Sequence, residues 1–340
     1  MDYIVDYIGI DQKIPVVATF LNSKDKLGAI KARWAINRNN YKISPGIYAV
    51  GNPDEKAEVF VTANYKLSFD HLRSNITGIN AWILVLDTKG INVWCAAGKG
   101  TFGTSELINR IKSNDLEKLV SHRKIILPQL GAVGVSAHEV KNESGFKVIY
   151  GPVRAIDIPS FVAANFRATE SMRTVKFGLS DRLKLTPVEL VGHFKYLISV
   201  LLLMILVGGF NNSTFSFDSM FENGIYITIS LLSAYFGGAV LTPLLLPVLP
   251  PRSFSMKGLI VGIVLSIVLY FTQQIGTNII ESISLILIIV ASTSFISMNF
   301  TGASTYTSLS GVKKEMKTAV PLQLIFFLTG LLTWITLRFI

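Results

Sequence analysis

Cysteine is nearly absent from this chain: one residue, Cys95, in 340. A single thiol excludes an intrachain disulfide, a four-cysteine zinc site and an iron–sulfur cluster ligated by this chain alone. Any electrons the protein uses are therefore expected from a partner. Histidine is scarce too, with four residues, and His71, His122 and His138 stand at no spacing diagnostic of a thiol–histidine pair. The opening MDYIVDYIGIDQKIP lacks the basic start, apolar centre and small-residue cleavage site of a secretory signal, so the front half is expected in the cytoplasm. The net charge is +10, but Lys and Arg alternate with acids through the first half and build no basic stripe. No nucleic-acid partner is expected.

Half of the residues are apolar, more than an ordinary soluble domain of this size carries, and they are unevenly spread. Charges recur every few positions up to about residue 190 and then give way to long uncharged stretches, which divides the chain into 1–190 and 191–340. Five apolar segments follow: Tyr196–Phe210, Ile225–Leu249, Leu259–Thr272, Ile283–Met298 and Val320–Leu337. With their uncharged flanks the first, third and fourth approach the roughly 20 residues that span a bilayer. Arg182, Lys184 and Lys195 precede the first span, Arg252 and Lys257 lie between the second and third, and Lys313, Lys314 and Lys317 between the fourth and fifth. Asn211–Gly224 and Gln273–Ser282 contain no Lys or Arg, so the positive-inside rule puts the soluble half on the cytoplasmic side of the inner membrane. No charge interrupts the five segments, which argues against an ion or proton path. Gly258 and Gly262 have the spacing of close helix packing, and Pro243 and Pro247 are expected to bend the second span. The polar stretch 299–308 is expected to extend the fourth span toward the soluble domain or its ligand.

In the front half, short β-branched runs alternate with helical patterns, as in a mostly parallel sheet covered by helices. The expected strands are Ile47–Val50, Val59–Thr62, Trp82–Asp87, Ile91–Trp94, Lys124–Pro128 and Lys147–Tyr150; the expected helices are Ser68–Ile76, Ser105–Ser113, Leu116–Ser121, Ala137–Glu143 and Pro159–Phe166. Trp82–Leu86 is apolar throughout, like a strand buried on both faces. Asp87–Gly90 reads as a turn into a second strand ending at Cys95, which then opens a glycine-punctuated loop. Ligands of open α/β sheets bind beyond the carboxyl ends of strands, and Leu130–Gly134 and Gly151–Pro152 also follow strands. Gly98-Lys-Gly-Thr101 is not a nucleoside-triphosphate loop, because Val93 stands where the first glycine belongs and Gly100 where Ser or Thr follows the lysine. Two readings of Cys95 remain: a small buried hydrophobe, or a thiolate offering a soft ligand to a transition metal beside small residues that admit a bulky flat group.

The run NVWCAAGK, Asn92 to Lys99, resembles the signature of the HgcA family, the corrinoid proteins of mercury methylation in anaerobic bacteria and archaea. Residues 61–73, 81–107, 122–140 and 150–159 are similar to that family as well, as is the tail carrying FTGASTYTSLSGVKKEM. The soluble half is also similar to the corrinoid domain of corrinoid iron–sulfur proteins, although this chain lacks the cysteines for their cluster. No Asp-x-His-x-x-Gly motif is present for histidine ligation of cobalt. Val133 departs from the family pattern, in which proline is expected in that loop.

The resemblance implies an α/β corrinoid-binding domain with a Rossmann-like sheet, followed by an all-α transmembrane domain of five helices. It implies a cobalamin-type cobalt corrinoid as cofactor and a methyltransferase that converts mercury(II) to methylmercury. Cys95 becomes the catalytic residue and lower axial cobalt ligand. Thr62 and Asn64 are expected to donate to corrin amides, Asn92 to brace the Cys95 loop, and Val93 and Trp94 to line the pocket. Ala96, Ala97, Gly98 and Gly100 admit the ring, Lys99 pairs with a corrin side chain or phosphate, and Thr101, Gly131 and Gly134 complete the cradle. A ferredoxin, HgcB, is the implied electron donor, and a methyltetrahydrofolate-linked methyltransferase the implied methyl source. The alternatives are a corrinoid carrier serving another methyl acceptor, and a membrane-anchored binding module without catalysis.

Overall fold

A computed structural model describes residues 3–9, 13–300 and 309–340. The chain forms two compact units, one of Met1–Ala32 and Ile36–Lys176, the other of Arg33–Ala35 and Phe177–Ile340.

The first unit is built on a seven-stranded sheet: β1 (Ile4–Ile8), β2 (Ile14–Val17), β3 (Gly46–Val50), β4 (Glu58–Ala63), β5 (Ala81–Leu86), β6 (Lys124–Leu127) and β7 (Lys147–Tyr150), in spatial order β1-β2-β3-β5-β4-β6-β7. Strands β5, β4, β6 and β7 run parallel, and β3 pairs antiparallel with β5. Every residue of β5 is buried, as its unbroken apolar sequence requires of a strand covered on both faces. Alternation sends Trp82, Leu84 and Leu86 to one core and Ala81, Ile83 and Val85 to the other.

Six helices cover the parallel part of the sheet. On the first face lie α3 (Val93–Lys99), α4 (Thr104–Ser113), α5 (Leu116–Leu119) and α6 (Ala137–Ser144), which bury Ala96, Ala97, Leu107, Ile111, Leu116 and Val140. The second face receives α2 (Lys66–Asn75) and α7 (Ile158–Ala163) through Phe69, Leu72, Ile158 and Phe161. The chain thus leaves β4 over one face and the adjacent β5 over the other. Their carboxyl ends form a topological switch point, where ligands of such sheets bind.

Two expectations need correction here. Ile91–Trp94 is not a strand: Ile91 and Asn92 lead into α3, which starts at Val93. Both flanks of β5 are already taken by β3 and β4, and the Asn92 side chain caps a helix start. Cys95 therefore sits in the first turn of a helix and not at a strand end. The β1–β2 hairpin and α1 (Ser23–Arg33) lie where no element was expected. A buried charge network fixes this segment to α2: Asp25 pairs with Lys66 at 2.6 Å and Arg73 at 2.7 Å, and Asp70 pairs with the same two residues at 2.7 Å each. Arg73 also donates to Ala18 O and Phe20 O.

Among its described residues the second unit contains five helical segments long and apolar enough to cross a membrane: Leu179–Gly208, Phe217–Leu245, Phe254–Phe271, Ile279–Met298 and Ser310–Thr336. The expected spans fall within or against these, but the helices are longer. The fourth consequently includes Glu281, which is buried and ion-paired with Arg338. Its Oε2 accepts from Thr277 N and Thr277 Oγ1, both at 2.9 Å, so this carboxylate ties helix ends together. Ser213 donates to Arg338 O and Phe339 O, which gathers the two loops without Lys or Arg and the chain's last turn at one end. A Cβ on Gly258 would lie 2.4 Å from Ser297 Oγ, and one on Gly262 2.9 Å from Val290 Cα, so both glycines serve close packing of the third and fourth helices. Ahead of Pro243 the second helix widens into a π-helical turn, Gly237–Leu241. The stretch proposed to reach the soluble domain lies, from residue 301 to 308, outside the described residues.

Candidate functional site

The candidate site gathers at the carboxyl ends of β4, β5 and β6. Beyond β5, Lys89 and Gly90 take left-handed backbone angles, φ 59° and 74°, and turn the chain sharply toward α3. Asp87 holds this turn from within: its Oδ1 accepts from Lys89 N at 3.0 Å and from Asn64 Nδ2 at 3.1 Å. Hydrogen bonding from the Lys89 ammonium holds the Asp87 carboxyl below its ordinary range, against the opposing effect of burial. Glu106 of α4 accepts from Asp87 N at 2.8 Å and pairs with Arg110 at 2.8 Å.

The motif residues divide by face. Asn92 is the N-cap of α3, and its Oδ1 accepts from Cys95 N at 2.9 Å. Val93, Ala96 and Ala97 are buried toward the sheet. Trp94 and Cys95 are half-buried, and Gly98, Lys99 and Gly100 are exposed. Cys95, Gly98 and Lys99 stand at i, i+3 and i+4, so they share the outer face of the helix. A Cβ on Gly98 would meet nothing within 4 Å. The thiol therefore shares its helix face with the open space at Gly98.

Gly100 ends the helix in the left-handed region at φ 81°. Thr101 N and Phe102 N both donate to Ala96 O, at 3.0 and 3.1 Å, and Phe102 enters the core fully buried. The loop after β6 packs on this turn through its glycines. A Cβ at Gly131 would lie 2.5 Å from the Phe102 ring, and one at Gly134 2.3 Å from Phe102 O and 3.0 Å from Ala97 Cα. Ser136 N donates to Thr104 Oγ1 at 2.9 Å and secures the far side of the loop. Gly131 and Gly134 thus adjoin α3, while Val133, the departure from the family pattern, is 80% exposed.

Thr62 and Asn64 are placed differently from Cys95. Thr62 is buried within β4, opposite Val85. Asn64 is 2% exposed, with its amide directed to the 87–90 turn. Gln129, which no motif singled out, follows β6, and its Oε1 is buried without a hydrogen-bond partner among the described residues; a lone glutamine carries no spacing signal by which sequence could have found it. His122 lies ahead of β6, bonded to Ala57 O, and His138 contacts Asn142, so neither is a base for Cys95 in this arrangement. Among the described residues, no three His, Cys, Asp or Glu side chains converge to hold a metal ion. A metal at this site would have to bring most of its own ligands.

Comparison with known proteins converges on the same segment. The family model of the CO dehydrogenase/acetyl-CoA synthase delta subunit, CdhD, matches residues 32–162, which include β3 to β7 and every motif residue above. The acetyl-CoA decarbonylase/synthase complex subunit gamma of Archaeoglobus fulgidus is 31% identical over 135 residues, 39% of this chain and 28% of that protein. The corrinoid/iron-sulfur protein large subunit of Moorella thermoacetica is 31% identical over 126 residues, 36% of this chain and 28% of that protein. A gamma subunit from Methanopyrus kandleri is 29% identical over 127 residues, 37% of this chain and 27% of that protein. The chain thus spans under a third of the length of these relatives.

Proposed function

We propose that this chain binds a cobalamin-type corrinoid at α3 and transfers its methyl group to mercury(II), forming methylmercury. The observation that carries the reading is the placement of Cys95: the chain's only thiol, beside the open position at Gly98, at the switch point of a sheet whose matched segment is similar to a corrinoid/iron-sulfur protein subunit.

The residues present fit such a group. The missing side chain at Gly98 leaves room for a flat ring next to Cys95 Sγ, and Gln129 Oε1 offers a buried acceptor to an amide N–H. Cys95 would hold the cobalt, and Lys99 would meet an anionic or carbonyl group of the cofactor. When bound, the corrinoid supplies a methyl group carried on cobalt. The work of the chain is positional and electronic. Asn92 fixes the Cys95 backbone, Ala96 and Ala97 seat the helix on the sheet, and Gly131 and Gly134 let the neighbouring loop close against it. The sulfur contributes an anionic soft donor, which Ser or Ala cannot replace and which a neutral imidazole matches less well. That donor suits mercury(II), a soft electrophile that needs the methyl group delivered with its electron pair or as a radical.

With one cysteine the chain cannot carry a cluster of its own, so a ferredoxin of the HgcB type is the proposed reductant, and a methyltetrahydrofolate-linked methyltransferase the proposed methyl source. The five helices anchor the protein in the cytoplasmic membrane. Apart from Arg338 at the opposite end, the Lys and Arg residues flanking the spans lie before the first span and in alternate loops, which supports a cytoplasmic soluble domain. The test is anaerobic formation of methylmercury by cells that express the chain with its ferredoxin, wild type against Cys95→Ala. Product from wild type alone, with corrinoid taken up by both, supports the reading. Equal product from both refutes the role of Cys95, and corrinoid-loaded wild type without product means a different acceptor.

A further inference from the structure

The side chain of Asn64 makes all its hydrogen bonds to one turn. Its Oδ1 accepts from Thr88 N at 3.1 Å and Gly90 N at 2.9 Å, and lies 2.9 Å from the Thr88 hydroxyl. Its Nδ2 donates to Asp87 Oδ1 at 3.1 Å. The backbone is engaged as well: Asn64 N donates to Leu86 O at 3.0 Å, and Asn64 O accepts from Ile43 N at 2.9 Å. The turn so gripped contains two successive left-handed residues, Lys89 and Gly90, and a non-glycine residue stays in that region only where its surroundings hold it. From there the bonds run on to the thiol. The Thr88 hydroxyl, whose single proton serves one acceptor at a time, lies 2.6 Å from Ile91 O, and Ile91 N donates to Thr88 O at 3.1 Å. Asn92 follows, with its cap on Cys95 N.

We infer that Asn64 is the positioning residue of the site: it acts on the corrinoid through the 87–90 turn, which sets where α3 begins and so where Cys95 stands. This deepens the corrinoid reading and rests on it for what the turn delivers. Asn64 is the only side chain on β4's end that joins Asp87, Thr88 and Gly90 among the described residues. Without it, Thr88 N retains Leu86 O as an acceptor, whereas Gly90 N has no other bond among the described residues. The effect of its loss is therefore local to the turn.

The experiment uses the full chain in detergent under anaerobic conditions, with three variants: Asn64→Ala, Asn64→Asp, and the exchange Asn64→Asp with Asp87→Asn. Asn64→Asp keeps the acceptor for Thr88 and Gly90 but sets a carboxylate against Asp87; the exchange restores a donor between the two positions, at the loss of one acceptor for Lys89 N. Amide exchange without corrinoid is expected to accelerate at least tenfold across residues 87–96 in Asn64→Ala and Asn64→Asp, with β4 and β5 unchanged and the exchange variant partly restored. With a cobalamin-type corrinoid added, the absorption spectrum of Asn64→Ala is expected to move toward that of Cys95→Ala. Unchanged exchange at 87–96, or acceleration spread evenly over the first unit, overturns the inference. If wild type takes up no corrinoid, the corrinoid reading fails while the exchange measurement still decides the role of Asn64.

Discussion

Gly98→Ala should push stability and ligand binding in opposite directions. Gly98 lies inside α3 with ordinary helical backbone angles, and a Cβ there would meet no atom within 4 Å. Replacing glycine by alanine in a helix interior gains about 1 kcal/mol, with nothing in the fold to oppose it. The α3 amides should then exchange about fivefold more slowly, since 1 kcal/mol is a factor of about 5 in a local opening equilibrium. The added methyl occupies the space that the proposed ring needs. Overfilling a close contact costs about 1–3 kcal/mol, so corrinoid affinity should fall by roughly 5- to 150-fold. The assay pairs amide exchange of the corrinoid-free chain with anaerobic corrinoid titration followed by absorption. A variant with slower exchange and unchanged affinity would refute the claim that the outer face of α3 receives the ring. Faster exchange would refute the reading of Gly98 as unopposed space.

Gly134→Ala carries the same chemical change with the opposite structural outcome. Its Cβ would meet Phe102 O at 2.3 Å and Ala97 Cα at 3.0 Å, both backbone atoms, so the variant should lose about 1–3 kcal/mol, seen as faster exchange in residues 93–104 and 129–137. The buried network around Arg73 predicts acid sensitivity. Burial raises the Asp25 carboxyl, but hydrogen bonds from Lys66 and Arg73 outweigh it and hold the group below its ordinary value. A lowered folded-state value stabilises the fold above the unfolded carboxylate range of about 4, and that stability is lost as the pH falls through the folded value. Denaturant midpoints of Asp25→Asn should accordingly lie below wild type at neutral pH and converge with it under acid; a constant gap across pH would contradict this.

Much of the parallel sheet was legible in the sequence, because β4 to β7 are short, strongly apolar and bounded by turns. Lys147–Tyr150 coincides with its expected range, and the ends of β3, β4, β5 and β6 differ from theirs by at most one residue. Ile91, Val93 and Trp94 suit a strand by propensity, but local propensity cannot register that both neighbours of β5 are already assigned by pairing far along the chain. Asn92 was the available signal, a residue type that favours the start of a helix. The β1–β2 hairpin is poorly legible because β1 is an edge strand with an exposed middle, which leaves little hydrophobic alternation to read. In the site, the small residues around Cys95 point to close approach of a ligand; Gly131 and Gly134, in the loop after β6, pack against Phe102 and Ala97, whereas Gly98 faces open space. The inward amide of Asn64 and the unpaired oxygen of Gln129 depend on side-chain direction, which no spacing in the sequence encodes.

The central claim is a bond between Cys95 sulfur and cobalt. Cobalt-edge X-ray absorption on the anaerobically purified, corrinoid-loaded full chain tests it directly. The account requires one sulfur in the cobalt coordination shell of wild type, replaced by oxygen or nitrogen in Cys95→Ala. A wild-type shell without sulfur, or a shell unchanged by the substitution, would contradict it.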